Sequence, residues 1–316
     1  MIKLVTQETM LPSGVYVRNK HPAGMTAFSP ERTLLFVHGA TYPSESAFDL
    51  RLDGFSWMEY IARRGFDVYF LDVRGYGKSA LPLALDQPAA ANPPFADTAD
   101  ARESVGAAVD YICADRGIER VCLLGWSWGC DTMGSYAAAN ATKVERLVLF
   151  APGWLRDTPT VTDQGGALGA WREVTREAAR ARWLAGVPAG SIDALIPLGW
   201  FEAWADATFG DADSLRAPNG VVKDAREYWT AGRPIYDPAE LTAPTLIVVG
   251  EWDNDNPPIL ARALFALLNN VPEKQLVVLG GATHKALLER GRMTLIEQVQ
   301  LFLEGGLAPP VGAHPV

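Results

Sequence analysis

A serine framed by two glycines is the feature of this chain most suited to chemistry. Gly125 to Gly129 reads Gly-Trp-Ser-Trp-Gly, so that Ser127 stands at the centre. The residues before it form a short apolar run typical of a buried strand, and those after it are compatible with a helix. Such a turn is a nucleophile elbow, in which glycines two residues away on either side prevent collisions. The pattern predicts that Ser127 is a nucleophile at a helix N-terminus, where developing negative charge is stabilised.

A serine hydroxyl is a weak nucleophile at neutral pH, so a neighbouring base must take its proton. The chain contains four histidines. His284 follows an apolar run that predicts a buried strand, and we expect its loop to reach the serine, which makes it the candidate base. His38 is expected to shape a loop, His21 lies in a loop near the N-terminus, and His314 lies in a proline-rich tail.

A third group, normally a carboxylate, must orient the base, and in the chain order Ser…Asp/Glu…His it lies between the other two. The apolar run at 245–250 opens into a loop that contains Glu251, Asp253 and Asp255. We expect Asp253 to be the orienting acid, because three residues past the strand leave room for the chain to turn inward. Asp255 is the main alternative and Glu251 a weaker one. An acid without this role would cap a helix that begins near Pro257.

Five segments in this order resemble the motifs of α/β-hydrolase-fold proteins, in the branch of capped serine hydrolases. They are the His-Gly-x loop at 38–40, the Asp-x-Arg-Gly-x-Gly-x-Ser loop at 72–79, the elbow at 125–129, the acid loop at 250–253 and the histidine loop at 281–284. The resemblance covers nearly the whole chain. It implies a mostly parallel central sheet flanked by helices, with an inserted helical cap. It also implies an oxyanion hole formed by the backbone N–H groups of Ala40 and Trp128, and a structural role for Arg74.

The elements that must position these residues can be traced along the chain. A hairpin is expected within about residues 3–32, and a proline-rich irregular loop at 81–97. Further strands are predicted at about 32–37, 67–71, 121–124, 146–150, 245–250 and 276–280. Helices are predicted at about 55–64, 98–116, 131–139 and 285–303, with Asp97 or Thr98 as the cap of the second.

The composition changes between Trp154 and Tyr236. Six of the ten tryptophans lie in this segment, and no strand pattern is evident there. We therefore predict that residues 154–236 form a helical cap, inserted into a hydrolase core made of residues 1–153 and 237–316.

Aromatic residues are expected to wall the substrate pocket. By resemblance, the residue after the nucleophile faces the pocket, which places Trp128 there, with Tyr42 and Trp154 on the opposite walls. Aromatic walls favour apolar or aromatic substrate groups. The cap also carries arginines at positions 156, 172, 176, 180 and 182. Their simplest interpretation is a solvated face, and the alternative is that one faces inward and binds the free carboxylate of a half-ester of an aromatic diacid.

Composition excludes several classes of partner. The net charge of −9 argues against nucleic acid and anionic membrane surfaces. No apolar run is long enough to cross a membrane, and the first residues do not form a signal peptide, so we expect a cytoplasmic location. The three cysteines lack metal-ligand spacing and are expected to be reduced core thiols. We expect no metal or organic cofactor, a small-molecule ester as the only ligand, and a monomer or homodimer.

Three classes of function fit these residues. The first is hydrolysis of a carboxylic ester through an acyl-enzyme. The second uses the same residues on an amide, an N-terminal proline peptide or a C–C bond. Ser127-Trp128-Gly129 resembles the elbow of proline iminopeptidases, but Gly39-Ala40-Thr41 departs from their glycine-rich oxyanion loop. The third is a ligand receptor on the same fold. Dehalogenases and epoxide hydrolases are disfavoured, because they carry aspartate where this chain has Ser127.

Overall fold

A twisted, mostly parallel sheet forms the centre of the molecule. The computed structural model describes residues 2–305, so His314 lies outside the described residues. The sheet has eight strands, which are β1 (Leu4–Met10), β2 (Tyr16–Pro22), β3 (Thr33–Val37), β4 (Asp67–Asp72), β5 (Val121–Trp126), β6 (Val144–Phe150), β9 (Thr245–Gly250) and β10 (Lys274–Leu279). Their order in the sheet is β1-β2-β4-β3-β5-β6-β9-β10. β2 pairs antiparallel with β1 and β4, and the remaining neighbours are parallel.

Helices cover both faces of this sheet and fill the segment between β6 and β9. They are α1 (Ser44–Phe48), α2 (Trp57–Ala62), α3 (Thr98–Arg116), α4 (Trp128–Ala139), α5 (Arg176–Leu184), α6 (Ile192–Leu195), α7 (Trp200–Phe209), α8 (Gly220–Asp224), α9 (Pro258–Leu267) and α10 (Arg292–Leu303). α8 continues into a π-helical turn at Ala225–Trp229.

The parallel strands are continuous apolar runs because both of their faces are buried. On β3, Leu34 and Phe36 belong to the core cluster on one face, and Leu35 and Val37 to the cluster on the other. Every residue of β3, β4, β5 and β9 is buried. In a parallel sheet the carboxyl ends of the strands meet at one edge, and the loops that follow them share that edge. This common edge is where the motif loops converge.

Several predicted elements agree closely with the structure. The strand at 245–250 and the helix at 98–116 have the predicted bounds. Asp97 is the residue that caps α3, because its side chain accepts a hydrogen bond from the N–H of Asp100 at 3.0 Å. The helix predicted at 285–303 is instead broken into a short 3₁₀ turn and α10. The break coincides with Glu289, whose carboxylate turns back to accept from Thr283.

The segment between Trp154 and Tyr236 contains two strands that the sequence did not reveal. β7 (Trp171–Thr175) and β8 (Ser214–Pro218) pair antiparallel as a ribbon of their own, separate from the central sheet. Each has five residues, with charged side chains among them. Such short runs lack the apolar alternation that predicts a strand. The segment therefore contains a short ribbon as well as helices, and its assignment as a helical cap at 154–236 stays a prediction.

The structure also bears on membrane spanning, metal binding and the state of the cysteines. Within residues 2–305 no helix has the length and hydrophobicity needed to cross a membrane. No group of three or more histidine, cysteine or acidic side chains in that range is arranged to hold a metal ion. Cys113, Cys122 and Cys130 are buried free thiols. The cytoplasmic location and the oligomeric state stay predictions.

Asp131, on the first turn of α4, is a buried carboxyl. It is 1% exposed, and among the described residues neither carboxylate oxygen accepts a hydrogen bond. Burial raises the pKa of Asp131 well above its usual value, and the carboxyl of Asp224 raises it further. A carboxyl whose pKa is raised by folding stabilises the protein at low pH, and that contribution is lost as the pH rises through the folded-state value.

We therefore expect Asp131→Asn to gain stability over the wild type as the pH rises. Its Tm relative to wild type should increase by about 2 °C or more between about pH 5.5 and about pH 8, because the amide never ionises. Thermal unfolding by circular dichroism at both pH values measures this. Asp110→Asn, at a side chain 72% exposed, is the matched control and should show no such increase. An equal Tm difference at both pH values would contradict the assignment.

Candidate active site

Ser127 lies in a strained turn between β5 and α4. Its φ of 58° and ψ of −123° are rarely adopted by a residue with a side chain. The two framing glycines make the turn possible. A Cβ on Gly125 would collide with the carbonyl of Gly129, and a Cβ on Gly129 would lie 2.7 Å from the carbonyl oxygen of His38. The backbone N–H of Ser127 donates to Phe150 at 2.8 Å, which holds the turn against β6.

His284 and Asp253 meet at the carboxyl ends of β10 and β9. The Nδ1 atom of His284 lies 2.8 Å from Oδ2 and 3.0 Å from Oδ1 of Asp253. Asp253 also accepts from the N–H of Asn256 at 2.8 Å. Because a carboxylate can only accept, this contact favours the tautomer with the proton on Nδ1, which leaves Nε2 free to accept one. Burial raises the pKa of Asp253, and the imidazole beside it opposes that rise.

Asp255, the alternative acid, lies on the other side of the imidazole. Its Oδ2 is 3.7 Å from Nε2 of His284. The same oxygen accepts from Nε of Arg182 at 2.7 Å and lies 2.6 Å from its Nη2. Burial alone would raise the pKa of Asp255, but the positive charge of Arg182 lowers it below the usual value. Asp253 thus occupies the position of an orienting acid, whereas Asp255 is engaged by Arg182 of α5. The triad assignment stays a prediction.

Ser127 and His284 line the same very small cavity. Both line a space of about 10 Å³, together with Ala40 and Lys285. Within residues 2–305 no hydrogen bond joins Ser127 Oγ to His284. Catalytic hydrogen bonds often form only when substrate is bound. The lack of a hydrogen bond between these two side chains is therefore compatible with general-base chemistry.

The loop after β3 supplies the other side of this cavity. It passes so close to the nucleophile that a Cβ on Gly39 would lie 2.9 Å from Cβ of Ser127. In the described part of the chain, the N–H groups of Ala40 and Trp128 have no protein acceptor. Two free backbone donors beside a nucleophile are what an oxyanion hole requires. The structure therefore brings together the residues of the predicted hole, whose role stays a prediction.

His38 and Arg74 are occupied by structural contacts. His38 is fully buried, its Nε2 accepts from the N–H of Val73 at 3.1 Å, and its Nδ1 is 2.7 Å from the carbonyl oxygen of Gly39. Burial lowers the pKa of His38, so the neutral ring is favoured. Arg74 forms an exposed ion pair with Glu103 at 2.7 Å.

Of the three residues expected to wall the pocket, Tyr42 lines both the small cavity and a neighbouring one of about 290 Å³, and its role toward a substrate stays a prediction. Trp128 borders a second small cavity of about 20 Å³ at Ser127. Its indole, however, is 1% exposed and donates to Thr98 Oγ1 at 2.8 Å. Trp154 does not line these three cavities and packs instead against Tyr236, with ring centroids 5.6 Å apart. Both indoles pack in the hydrophobic core, because the residues they contact are themselves buried.

Lys285 is a site residue that the sequence analysis missed. It is buried, and its Nζ lies 4.2 Å from the ring centre of Tyr42 and 4.4 Å from that of Trp204. Burial lowers the pKa of Lys285 well below its usual value, and the charge of Arg182 lowers it further. Its only sequence signal was its position next to His284.

Four of the five arginines named in the sequence analysis divide into two groups. Arg176 pairs with Asp206, and Arg180 lies over the ring of Phe201, as expected for a solvated face. Arg182 instead lines all three cavities around Ser127. Arg172 is 7% exposed and borders the cavity of about 290 Å³.

Arg172 has no carboxylate partner among the described residues. It donates to Oγ1 of Thr41 at 2.7 Å and to the carbonyl oxygen of Pro218 at 2.6 Å. Burial lowers the pKa of Arg172 to about 10. The value still leaves the guanidinium charged at neutral pH, so the site contains a buried cation without a counter-ion.

Comparisons with known proteins agree with this architecture. A family model described as the alpha/beta hydrolase family matches residues 34–294. No curated protein matches the chain. Among solved structures, a serine hydrolase involved in carbazole degradation (the CarC enzyme) has a TM-score of 0.63 at 18% identity, covering 96% of this chain and 99% of its own.

Two further structures are similar to a comparable degree. A serine hydrolase from the polyaromatic-hydrocarbon-degrading bacterium Cycloclasticus zankles has a TM-score of 0.61 at 14% identity, covering 97% of this chain and all of its own. The 2-hydroxy-6-oxo-6-phenylhexa-2,4-dienoate hydrolase of Rhodococcus sp. strain RHA1 has a TM-score of 0.60 at 16% identity, with coverage of 97% and 100%. At these identities the similarity shows the shared fold.

We expect a fluorophosphonate probe to label Ser127, because such reagents react with serines that a base and an oxyanion site activate. Intact-mass spectrometry should show one adduct on the wild type and none on Ser127→Ala. Ser135→Ala, which alters a buried serine further along α4, is the matched control and should be labelled like the wild type. Undiminished labelling of Ser127→Ala would show that the nucleophile lies elsewhere.

Proposed function

The chain belongs to the alpha/beta hydrolase family, and we propose that within it the protein is a serine hydrolase that cleaves carboxylic esters. The observation that carries this proposal is the strained Ser127 turn, which shares a cavity with an imidazole already paired with a carboxylate. A strained backbone that exposes a hydroxyl to a base is typical of a nucleophile and has no evident structural use.

The proposed reaction has two halves. Ser127 Oγ attacks the ester carbonyl while Nε2 of His284 takes the hydroxyl proton, and Asp253 stabilises the imidazolium that forms. The carbonyl oxygen becomes negative and accepts from the N–H groups of Ala40 and Trp128. The proton then passes to the departing alcohol. Water repeats the attack on the acyl-enzyme, with the same base, and releases the acid.

The charges around the cavity favour an ester over an N-terminal peptide. A peptidase that recognises a protonated amine needs a free carboxylate near the nucleophile. Apart from Asp253, the carboxylate nearest to the imidazole is Asp255, and Arg182 already neutralises it. Cleavage of a C–C bond or of an amide without a charged amine would use the same residues, and these substrates remain alternative outcomes of the assays below. A receptor would bind such compounds without turnover.

The unpaired cation of Arg172 supports a half-ester as the substrate. It borders the cavity of about 290 Å³ together with Tyr42 and Arg182. A carboxylate there would supply the missing counter-charge, and the aromatic face of Tyr42 would contact an aromatic ring. We therefore propose a half-ester of an aromatic diacid, with its free carboxylate at Arg172 and its ester carbonyl at Ser127.

Substitution of the two neighbouring acids separates their roles. With p-nitrophenyl esters, Asp253→Asn should lower kcat by about 10³-fold or more, nearly as much as Ser127→Ala or His284→Ala. Asp255→Asn should cost much less, because its partner is Arg182. Steady-state kinetics on folded variants measures this, and thermal unfolding controls for stability. A larger loss in Asp255→Asn than in Asp253→Asn would contradict the assignment of the acid.

The half-ester proposal predicts a substrate-dependent effect of Arg172→Met. The KM for the monomethyl ester of an aromatic dicarboxylic acid should rise about tenfold or more, whereas the KM for the neutral dimethyl ester should change less than about twofold. Arg176→Met, on the solvated face, is the matched control. Equal losses of kcat on both substrates would mean that Arg172 acts through Thr41 and not on the substrate.

A further inference from the structure

Two carboxylates flank the imidazole of His284, and only one occupies the position of a triad acid. Asp253 contacts Nδ1 at 2.8 Å, whereas Oδ2 of Asp255 lies 3.7 Å from Nε2. Both acids are nearly buried, at 3% and 4% exposure. In the proposed reaction Nε2 must take the proton of Ser127, so Asp255 lies beside the atom on which base catalysis depends.

Arg182 is the group that occupies this second carboxylate. Its Nε and Nη2 atoms both approach Oδ2 of Asp255, at 2.7 and 2.6 Å. The oxygen nearest to the imidazole is therefore the one that the guanidinium contacts. Arg182 reaches this point from α5, in the segment predicted to be the cap, and its side chain is 20% exposed.

We infer that Arg182 is a positioning residue that keeps Asp255 from competing with Ser127 for Nε2 of His284. The inference rests on the proposed function, because it concerns the same base. It also explains why a carboxylate can stand beside Nε2 without disabling the imidazole.

The physical reason is the interaction of nearby charges in a poorly solvated site. An unpaired carboxylate on each side of the ring would favour imidazolium, which cannot accept a proton. A partly freed Asp255 would also accept a hydrogen bond from Nε2–H and turn the ring away from the serine. The guanidinium removes both effects because it stays charged at any working pH.

Other charged groups near the ring cannot replace Arg182. Lys285 also acts on Asp255, but burial lowers the pKa of Lys285 and weakens its charge at neutral pH. Glu289 accepts from Thr283 and Trp183, and burial raises the pKa of Glu289. Arg156 contacts the backbone oxygen of Asp255 and not its carboxylate. Among the described residues, the titratable and charged groups around His284 are Tyr42, Asp253, Asp255, Arg156, Arg182, Lys285 and Glu289. Burial raises the pKa of Tyr42, so its hydroxyl stays neutral and adds no charge beside the ring.

The pH dependence of kcat/KM tests the inference with three variants. In the wild type, activity should rise with pH as the base loses its proton and then level off. In Arg182→Met this rise should shift by about one pH unit to higher pH, which lowers kcat/KM about tenfold on the rising part of the profile and little on the plateau. Asp255→Asn should shift it in the opposite direction, because the guanidinium is then unpaired.

The double variant Arg182→Met/Asp255→Asn provides the decisive comparison. It removes both charges, so its profile should return close to that of the wild type. Arg182→Lys should also stay close to the wild type, because it keeps the positive charge. Arg180→Met, on the outer side of α5, is the matched control. If Arg182→Met loses activity equally at every pH, or if Asp255→Asn does not restore the profile, Arg182 acts as a structural or substrate-binding residue and the inference is wrong.

Labelling by fluorophosphonate over the same pH range separates this inference from the proposed function. If no ester is hydrolysed but the labelling rates show the expected shifts, the inference holds and the choice of ester substrates fails. If esters are hydrolysed and the labelling rates of Arg182→Met follow the wild-type profile, the proposed function holds and the inference fails. A wild type that is neither labelled nor active overturns both.

Discussion

The close approach of three backbone segments around Ser127 is the constraint on which the rest of the site depends. The elbow, the loop after β3 and the start of α4 lie so close together that neither Gly39 nor Gly129 has room for a side chain. The hydrogen bond from Ser127 N–H to Phe150 ties this contact to the central sheet. A strained φ persists only where the surrounding structure enforces it. Ser127 adopts its strained φ directly after β5, a strand in which every residue is buried.

The charge at the site depends on how individual side chains are paired and does not follow from the net charge of the chain. The chain carries a net charge of −9, yet both acids beside His284 have partners, whereas Arg172 has no carboxylate partner among the described residues. Arg182 is matched by Asp255, whereas Arg172 is held by neutral oxygens. Burial increases the effect of each charge because little water screens it. Residues of the segment 154–236 therefore place charges beside the imidazole of His284 and also line the cavities around Ser127.

Sequence patterns correctly predicted the strands and helices that depend on interactions between residues close together in the chain. Continuous apolar runs identified the buried strands, and Asp97 caps α3 through a contact only three residues away. The ribbon of β7 and β8 escaped prediction because its strands are short and partly charged, and each is stabilised by a partner about forty residues away in sequence. The break before α10 was missed for a similar reason, since it depends on how the carboxylate of Glu289 folds back onto Thr283.

The sequence by itself determined the chemistry that is available: a serine between glycines, one well-placed histidine and three acids on the preceding loop. These signals can be identified in the sequence because steric contacts in a turn, and the spacing of apolar residues in a strand or helix, involve residues that are close together in the chain. Only the tertiary structure decided that Asp253 faces Nδ1 while Asp255 faces Nε2, and that Trp154 and the indole of Trp128 pack in the core. It also brought Arg182 to Asp255, 73 residues away in sequence. Such contacts depend on how separate elements pack, and no local pattern records that packing.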